Sequence, residues 1–382
     1  MLSIKKQNLI NLIVYFFIIS NILDPSGKIG LKYFSFFLLL FGSFLKPSKL
    51  KPSILVFFGA LICFFGISTL LTVINDGNIS MSFLYNLFIP TTILLIIISE
   101  IIEKNKILEF VMNTLFYSSL MIISGNFFSF IFPNETILSI LKFFAANFDT
   151  YEDLRSSSMV IVPKIYFHFT LFLPSAFIYF LFNNKHIKSL LIGVAIVLSL
   201  SRVAILVSGL FLIIYFLKNK NIKSFLLNSF LACIFFFVFI YIIDIFVPNI
   251  FIHFLNLNDS SQFTVATRLG QLNDLNMVFS ENLLYFLFGM GSGTPIYSNF
   301  LAMEIYNIEI APLEIIRKYG IVFFTIIFSL MFKIIFQNFK IDISKSFLMI
   351  SLLLCTFSNP ILTAPIFIFI FILCNNKSLK KI

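Results

Sequence analysis

The 382-residue chain is strongly apolar: 59% of its residues are hydrophobic, only 12% are charged, and the mean hydropathy is +1.01. Soluble domains have about a quarter of their residues charged, so this composition excludes a water-soluble globule and indicates that lipid surrounds most of the chain. The net charge of +10 comes from lysines clustered between apolar runs. It therefore reports membrane orientation and gives no reason to expect a nucleic-acid partner.

Apolar runs long enough to cross a bilayer recur along the whole chain. The first run follows Lys5 and Lys6 and lacks a small-residue cleavage site, which favours an uncleaved helix over a signal peptide. The predicted runs cover residues 9–23, 29–45, 54–74, 83–99, 107–132, 159–182, 187–201, 202–217, 224–247 and 312–337. A last apolar region, 346–374, is broken at Ser358-Asn359-Pro360 and predicts a hairpin. We expect an all-α integral membrane protein with about twelve transmembrane helices, forming one polytopic domain over residues 1–382.

Charge predicts the orientation of these helices. The lysines fall on alternate connections, which carry 18 of the 27 cationic residues, and the lysine-rich side of a membrane protein is the cytoplasmic side. Both termini are then cytoplasmic. Two external connections are long, residues 133–158 and the loop 248–311 before the tenth helix, which contains an amphipathic stretch near 268–287. Because functional residues concentrate in loops on a rigid scaffold, we expect the chemistry in this large periplasmic loop.

All four arginines, Arg155, Arg202, Arg268 and Arg317, map to the external side. A guanidinium grips phosphate through a planar fork of donors, so external arginines at membrane depth predict a phosphorylated ligand. Arg202 stands between two apolar runs with almost no loop, and Arg268 begins the amphipathic stretch. The alternatives are an interfacial arginine that reaches lipid headgroups for Arg202 and an exposed loop charge for Arg268. Arg155 fits an ordinary solvated group, and Arg317 lies just inside the tenth helix.

Other polar residues could also contribute to a site. Lys164 and His168 are four residues apart in the sixth predicted helix, so they would share one face and line a polar cavity. Glu309 precedes the tenth helix and is the best candidate general base, expected near Arg317; the alternative is a solvated carboxylate at a helix start. The stretch Gly289-Met290-Gly291-Ser292-Gly293 looks like a phosphate-binding loop but lacks its Lys-Ser/Thr ending. Its backbone amides could still line an external site.

Several of these short motifs together resemble bacterial O-antigen polymerases and the related O-antigen ligases. The first is the Ser201-Arg202 junction between two apolar helices. The second is a long external loop that begins with Arg268 and continues to Leu287-Phe288-Gly289-Met290-Gly291. The third is the closing helix entry from Glu309 to Ile321, with its Tyr319-Gly320-Ile321 ending. The resemblance covers the whole topology and rests on the set of motifs.

The resemblance implies a metal-independent glycosyltransferase, without a cofactor, in the bacterial inner membrane with its active site facing the periplasm. Its substrate would be oligosaccharide units on undecaprenyl pyrophosphate, and a chain-length regulator protein would be a further partner. Arg202, Arg268 and Arg317 would bind the pyrophosphate. Ligases commonly have a histidine where this chain has Glu309, which favours a polymerase over a ligase and leaves the base open.

Three other functions remain open from the sequence. The nearest is the ligase that transfers finished polymer to lipid A core. A flippase for lipid-linked oligosaccharide belongs to a different class, and transporters tend to show two similar halves, which this chain lacks. A membrane scaffold without catalytic activity would not need arginines at membrane depth.

Overall fold

The computed structural model describes most of the chain but not all of it. The residues it describes are 2–24, 29–45, 52–131, 151–156, 161–199, 201–218, 260–357 and 361–375. The predicted span 224–247 and most of the external segment 133–158 lie outside these residues.

The described residues are mostly helical, as an apolar chain in lipid requires, because a helix satisfies its backbone polar groups internally. In chain order the helices are α1 Leu2–Leu23, α2 Leu31–Leu45, α3 Pro52–Ile74, α4 Ile79–Asn86, α5 Phe88–Ser99, α6 Lys104–Ile131, α7 Leu173–Phe182, α8 His186–Leu198, α9 Arg202–Lys218, α10 Ser260–Glu281, α11 Leu283–Phe288, α12 Ala311–Phe339, α13 Ile343–Thr356 and α14 Pro365–Cys374. Two antiparallel hairpins interrupt them: β1 Tyr151–Ser156 with β2 Ile161–Tyr166, and β3 Ile296–Ser298 with β4 Met303–Ile305.

Five helical segments among the described residues are long and apolar enough to cross a membrane, which makes this a multi-pass membrane protein. They are Lys6–Leu23, Ile54–Ile74, Ile79–Ser99, Lys104–Phe128 and Ala311–Phe339. Shorter apolar helices accompany them, including α8, α9, α13 and α14. The predicted break in the C-terminal apolar region is confirmed, since α13 ends at Thr356 and α14 begins at Pro365. The total of twelve crossings stays a prediction.

The predicted helix over residues 159–182 is wrong in its first half. Residues 161–166 form strand β2, and His168–Phe172 form a short 3-10 helix before α7 begins at Leu173. Pro163 explains the strand, because proline disfavours helical backbone in the residue before it. Pro174 then stands in the first turn of α7, where its missing N–H costs nothing.

The chain divides into two compact units, which are described separately. Unit 1 contains Met1–Ile22, Gly30–Val111 and Thr264–Ile382, and unit 2 contains Leu23–Ile29 and Met112–Phe263. The region 264–311, which the sequence predicts as part of a long loop, is structured: it contains α10, α11 and the β3–β4 hairpin. A small apolar core joins these elements to the start of α12, with Leu275, Met290, Ile296 and Ile308 buried in it.

Helix α12 is bent where it meets α11. Gly320 adopts φ 80° and ψ 165°, so Ala311–Phe339 is two helices joined at this residue. Gly289, which ends α11, also has a positive φ of 87°. A side chain at Gly320 would overlap the carbonyl oxygen of Leu287, and one at Gly289 would overlap the backbone of Lys318 and Tyr319. Glycine at both positions therefore allows the backbones of α11 and α12 to touch.

Candidate functional site

The sequence-predicted residues Arg268 and Glu309 form an ion pair in unit 1. The Arg268 Nε donates to Glu309 Oε2 at 2.8 Å, and the two side chains are 29% and 38% exposed, so solvent reaches both. The backbone N–H of Glu309 donates to Gln271 Oε1 at 3.2 Å. Arg268 and Gln271 are three residues apart on α10 and therefore share one helix face. This face holds Glu309 through both its side chain and its backbone.

The same face of α10 also holds the turn of the β3–β4 hairpin. Asn299 donates to Asp274 twice, from its backbone N to Oδ2 at 3.2 Å and from Nδ2 to Oδ1 at 2.6 Å. Gly270 lies against Phe300, and a side chain at Gly270 would meet the Phe300 Cβ at 2.7 Å. Helix α10, which carries Arg268, is therefore fixed to the hairpin that precedes Glu309 by two hydrogen bonds and a close contact at Gly270.

A second ionic cluster, formed by Glu314, Arg317 and Lys318, lies in the first turns of α12. Glu314 Oε1 accepts from Arg317 Nη2 at 2.9 Å and from Lys318 Nζ at 2.6 Å, and Glu314 Oε2 accepts from Arg317 Nε at 3.0 Å. The exposed fractions are 0% for the Arg317 side chain and 6% for each of the other two. Such charges are stable away from water only when paired and hydrogen-bonded, as they are here.

Arg317 does not face a solvent-filled site in this arrangement. Its Nη1 donates to the Thr294 carbonyl and its Nη2 to the Tyr306 carbonyl, both at 2.6 Å. Thr294 precedes β3 and Tyr306 follows β4, so one guanidinium closes the base of the hairpin. The sequence analysis expects Glu309, as the candidate general base, near Arg317. In the structure Arg317 pairs with the Glu314 carboxylate, and Glu309 pairs with the Arg268 guanidinium.

The glycine-rich segment 289–293 is a tightly packed connection whose amides are largely used within the protein. Four of its five backbone N–H groups donate to neighbouring residues: Gly289 to Tyr285 O, Met290 to Arg317 O, Ser292 to Ser68 Oγ and Gly293 to Thr72 Oγ1. Its glycines permit close passage, since a side chain at Gly291 would overlap the Thr72 backbone. The interpretation of this segment as a phosphate-binding loop is therefore unsupported, because the amides that would bind an anion already have partners.

A row of small polar side chains connects this segment to α3 and α4, and the sequence analysis missed it. Ser82 Oγ and Ser292 Oγ are 2.8 Å apart, and Tyr319 Oη donates to Asn86 Oδ1 at 2.7 Å. A signal was present in the sequence. Ser68 and Thr72 are four residues apart, as are Ser82 and Asn86, and polar residues at helical spacing inside apolar runs indicate a buried polar face.

Arg202 lies in unit 2 at the first residue of α9. The predicted break at the Ser201-Arg202 junction is confirmed, because α8 ends at Leu198 and only three residues separate it from α9. The Ser201 backbone N–H donates to Ser199 Oγ at 3.4 Å. A cation at a helix N-terminus opposes the helix dipole, whereas an anion there is favoured. This placement suits the predicted phosphate-binding role of Arg202, which stays a prediction.

Lys164 and His168 do not share a helix, so that prediction is wrong. Lys164 is on strand β2, where its backbone pairs with Asp153, and His168 begins the 3-10 helix that follows. Proline at residue 163 and the apolar β-branched residues before it favour the strand. Their predicted place in a polar cavity is not tested by the structure.

Comparison with known proteins gives one informative similarity. No protein-family model matches the chain, and no solved structure matches it. Over 194 residues, 49% of this chain, it is 28% identical to a Shigella flexneri protein named O-antigen polymerase, of which the match covers 45%. The chain thus spans less than half the length of that relative. The resemblance to O-antigen polymerases that the motifs indicate is confirmed by this similarity.

Proposed function

We propose that this chain is a repeat-unit polymerase, which joins undecaprenyl-pyrophosphate-linked oligosaccharide units of O-antigen or capsule at the periplasmic face of the inner membrane. The similarity to the Shigella flexneri protein named O-antigen polymerase supports the reaction class. The half-exposed Arg268–Glu309 ion pair supports the site, because it sets a donor fork for phosphate beside a carboxylate at the entrance of a membrane span.

The reaction needs two kinds of group, and the pair supplies one of each. A hydroxyl oxygen of the acceptor unit attacks the anomeric carbon of the donor unit, and the bond from that carbon to the diphosphate oxygen breaks. The lipid diphosphate leaves with the electron pair. Glu309 takes the proton of the attacking hydroxyl, which is the work of a general base. Arg268 stabilises the negative charge that develops on the diphosphate.

A guanidinium binds carboxylate and phosphate through the same planar set of N–H donors. The contact with Glu309 uses Nε, and phosphate is gripped by pairs of parallel donors. Diphosphate bound to Arg268 would therefore lie close to the carboxylate that accepts the proton. Arg202 is a second predicted diphosphate ligand. Because Arg317 is buried, this proposal does not include it among the residues that contact phosphate.

The test is a deletion of the gene followed by complementation. In the deletion strain we expect the polysaccharide ladder to disappear while lipid capped with a single repeat unit remains. Polymer retained on the carrier with unmodified core would indicate the ligase, and units accumulating on the cytoplasmic leaflet would indicate the flippase. Either result would contradict the polymerase assignment.

The same strain tests the two arginines. Arg268→Ala and Arg202→Ala should abolish chain growth without lowering the amount of protein in the membrane. Arg268→Lys keeps the charge but loses the planar fork, so we expect the KM for the lipid-linked donor to rise about tenfold. Lys32→Ala is a matched control, since it removes a cation on the same predicted side. Wild-type ladders from both alanine variants would contradict the diphosphate site.

A further inference from the structure

We propose that Glu314, Arg317 and Lys318 are positioning residues that fix the Glu309 carboxylate in place, acting through the backbone of residues 306–309 without touching substrate. This inference rests on the proposed function, in which Glu309 accepts the proton of the attacking hydroxyl. It gives the buried ionic cluster of α12 a positioning role, in place of the direct phosphate binding that was predicted for Arg317.

The segment that leads to Glu309 is anchored residue by residue. Each of the four residues 306–309 makes its own hydrogen bond to a neighbouring helix, three of them to the cluster. In chain order the bonds are Arg317 Nη2 to Tyr306 O at 2.6 Å, Lys318 Nζ to Asn307 Oδ1 at 2.9 Å, Ile308 N to Glu314 Oε2 at 3.1 Å, and Glu309 N to Gln271 Oε1 at 3.2 Å. The backbone at Glu309 therefore has little freedom to move.

The chemistry of the cluster fits positioning better than stability. Apolar side chains of the same volume often stabilise a protein as well as a buried ion pair does, because the ions must be desolvated. Apolar contacts, however, have no direction and would let the segment slide. The cluster supplies directed donors and an acceptor. Lys318 Nζ also lies 3.4 Å from the centre of the Tyr85 ring, so a second helix, α4, holds the lysine in place.

Position matters here because proton transfer requires hydrogen-bond contact between base and hydroxyl, and a shift of about 1 Å can cost about 100-fold in rate. The other anchor of Glu309 is on α10, so the carboxylate is set by two helices at once. Loosening the α12 side should leave donor binding intact. It should slow the chemical step.

The experiment is a double-mutant cycle between Arg317→Lys and Glu309→Asp, made in the full chain. Chain extension by membranes is measured with labelled lipid-linked repeat units, and rates are divided by the amount of folded protein. We expect Arg317→Lys alone to lower kcat by about 10- to 100-fold, with the KM for the donor changed less than about twofold. In the Glu309→Asp background the same change should lower kcat by less than about threefold. Residues that act through one group have strongly non-additive effects.

Lys345→Arg provides the matched control. Lys345 is another buried cation of unit 1, 7% exposed, and it donates to Asn105 Oδ1 at 2.8 Å. The factors by which Lys345→Arg and Glu309→Asp each lower kcat should multiply in the double variant, because Lys345→Arg perturbs structure without acting through Glu309. The inference is overturned, while the proposed function stands, if the reductions of kcat by Arg317→Lys and Glu309→Asp also multiply in the double variant. It is likewise overturned if Arg317→Lys alone leaves kcat unchanged. If wild-type membranes extend no chains, the proposed function is overturned and this inference with it.

Discussion

At the scale of single residues, the two ionic clusters around Glu309 and Glu314 differ in exposure. The Arg268–Glu309 pair is open to solvent, and the Glu314–Arg317–Lys318 cluster is enclosed. An enclosed carboxylate shared by two cations is far more sensitive to neutralisation than an exposed one, because its loss leaves both cations buried without a counter-charge. Removing Glu314 alone should therefore destabilise the protein far more than removing an exposed carboxylate.

We expect Glu314→Gln to lower the free energy of unfolding by about 3–5 kcal/mol, the usual cost of removing one partner from a buried ion pair. The control is Glu103→Gln, which breaks the exposed pair with Lys106, whose side chains are 71% and 72% exposed. It should leave stability unchanged. Thermal unfolding of the detergent-solubilised variants checks both. Equal effects of the two substitutions would show that the α12 cluster is not enclosed as described.

The sequence analysis named Arg268, Glu309 and Arg317 as candidate site residues and expected Glu309 near Arg317, but it did not predict their partners. Glu309 and Arg317 follow one another closely in the chain, so proximity favoured joining them. In the structure Arg317 turns to Glu314, three residues earlier on the same helix. Glu309 meets Arg268 on a different helix. A pair between residues distant in sequence depends on how α10 packs, which no local pattern encodes.

At the scale of elements, the sharp bend in α12 decides how α11 and the glycine-rich segment meet this long apolar helix. The Arg317 carbonyl, released from the helix at the bend, accepts from the backbone N–H of Met290 at 2.7 Å. The bend thus gives α11 and the glycine-rich segment a backbone partner inside the protein. The apolar run 312–337 predicted α12 well because it is long and nearly uninterrupted. It could not predict the bend, which depends on the close approach of another backbone.

We expect Gly320→Ala to prevent normal accumulation of folded protein. An alanine there would need a positive φ that L-residues avoid, and its Cβ would overlap Leu287. Gly66→Ala is the matched control, because Gly66 lies in the span of α3 with nothing within 4 Å of its Cβ position, and alanine favours helix over glycine. Membrane abundance and the melting temperature in detergent measure both. Normal abundance of Gly320→Ala would contradict the described bend.

The error at residues 159–182 shows another limit at this scale. An apolar run indicates burial, but a strand and a helix are both compatible with a short one. Proline at position 163 and the β-branched residues around it favour a strand. The whole run 159–182 is long enough for a membrane-spanning helix, however, and was predicted as one. Where runs were long and free of proline, as in α3 and α6, the predicted and observed helices agree closely.

At the scale of the whole molecule, orientation is the remaining prediction. The lysine distribution places the α10–α12 connection outside and the α12–α13 connection inside. Asn299 and Asn307 are exposed residues of the first connection, and Lys340 is an exposed residue of the second. These positions can report the side of the membrane on which each connection lies.

Single cysteines at residues 299 and 307 should react with a membrane-impermeant maleimide from the periplasmic side, and one at residue 340 only after the inner membrane is permeabilised. The melting temperature of each purified variant in detergent confirms that it is folded. The single cysteines are introduced into a chain in which Cys63 and Cys233 are replaced by serine. Cys355 and Cys374 can stay because they are buried. Labelling of residue 307 only from the cytoplasm would exclude a periplasmic site and the proposed reaction with it.

Gly289 lies against the backbone of Lys318 and Tyr319, and Gly320 lies against that of Leu287 and Phe288. This close approach has a consequence for how the sequence can change over evolutionary time. Neither glycine can be replaced even by alanine while the opposite backbone segment stays where it is. Because the overlapping atoms belong to backbone, no smaller side chain nearby can compensate for such a substitution. The two glycines should therefore persist together in descendants whose surrounding residues have diverged beyond recognition. A search that requires both, in the order helix, glycine, hairpin, membrane helix, glycine, would find distant kin that overall identity misses.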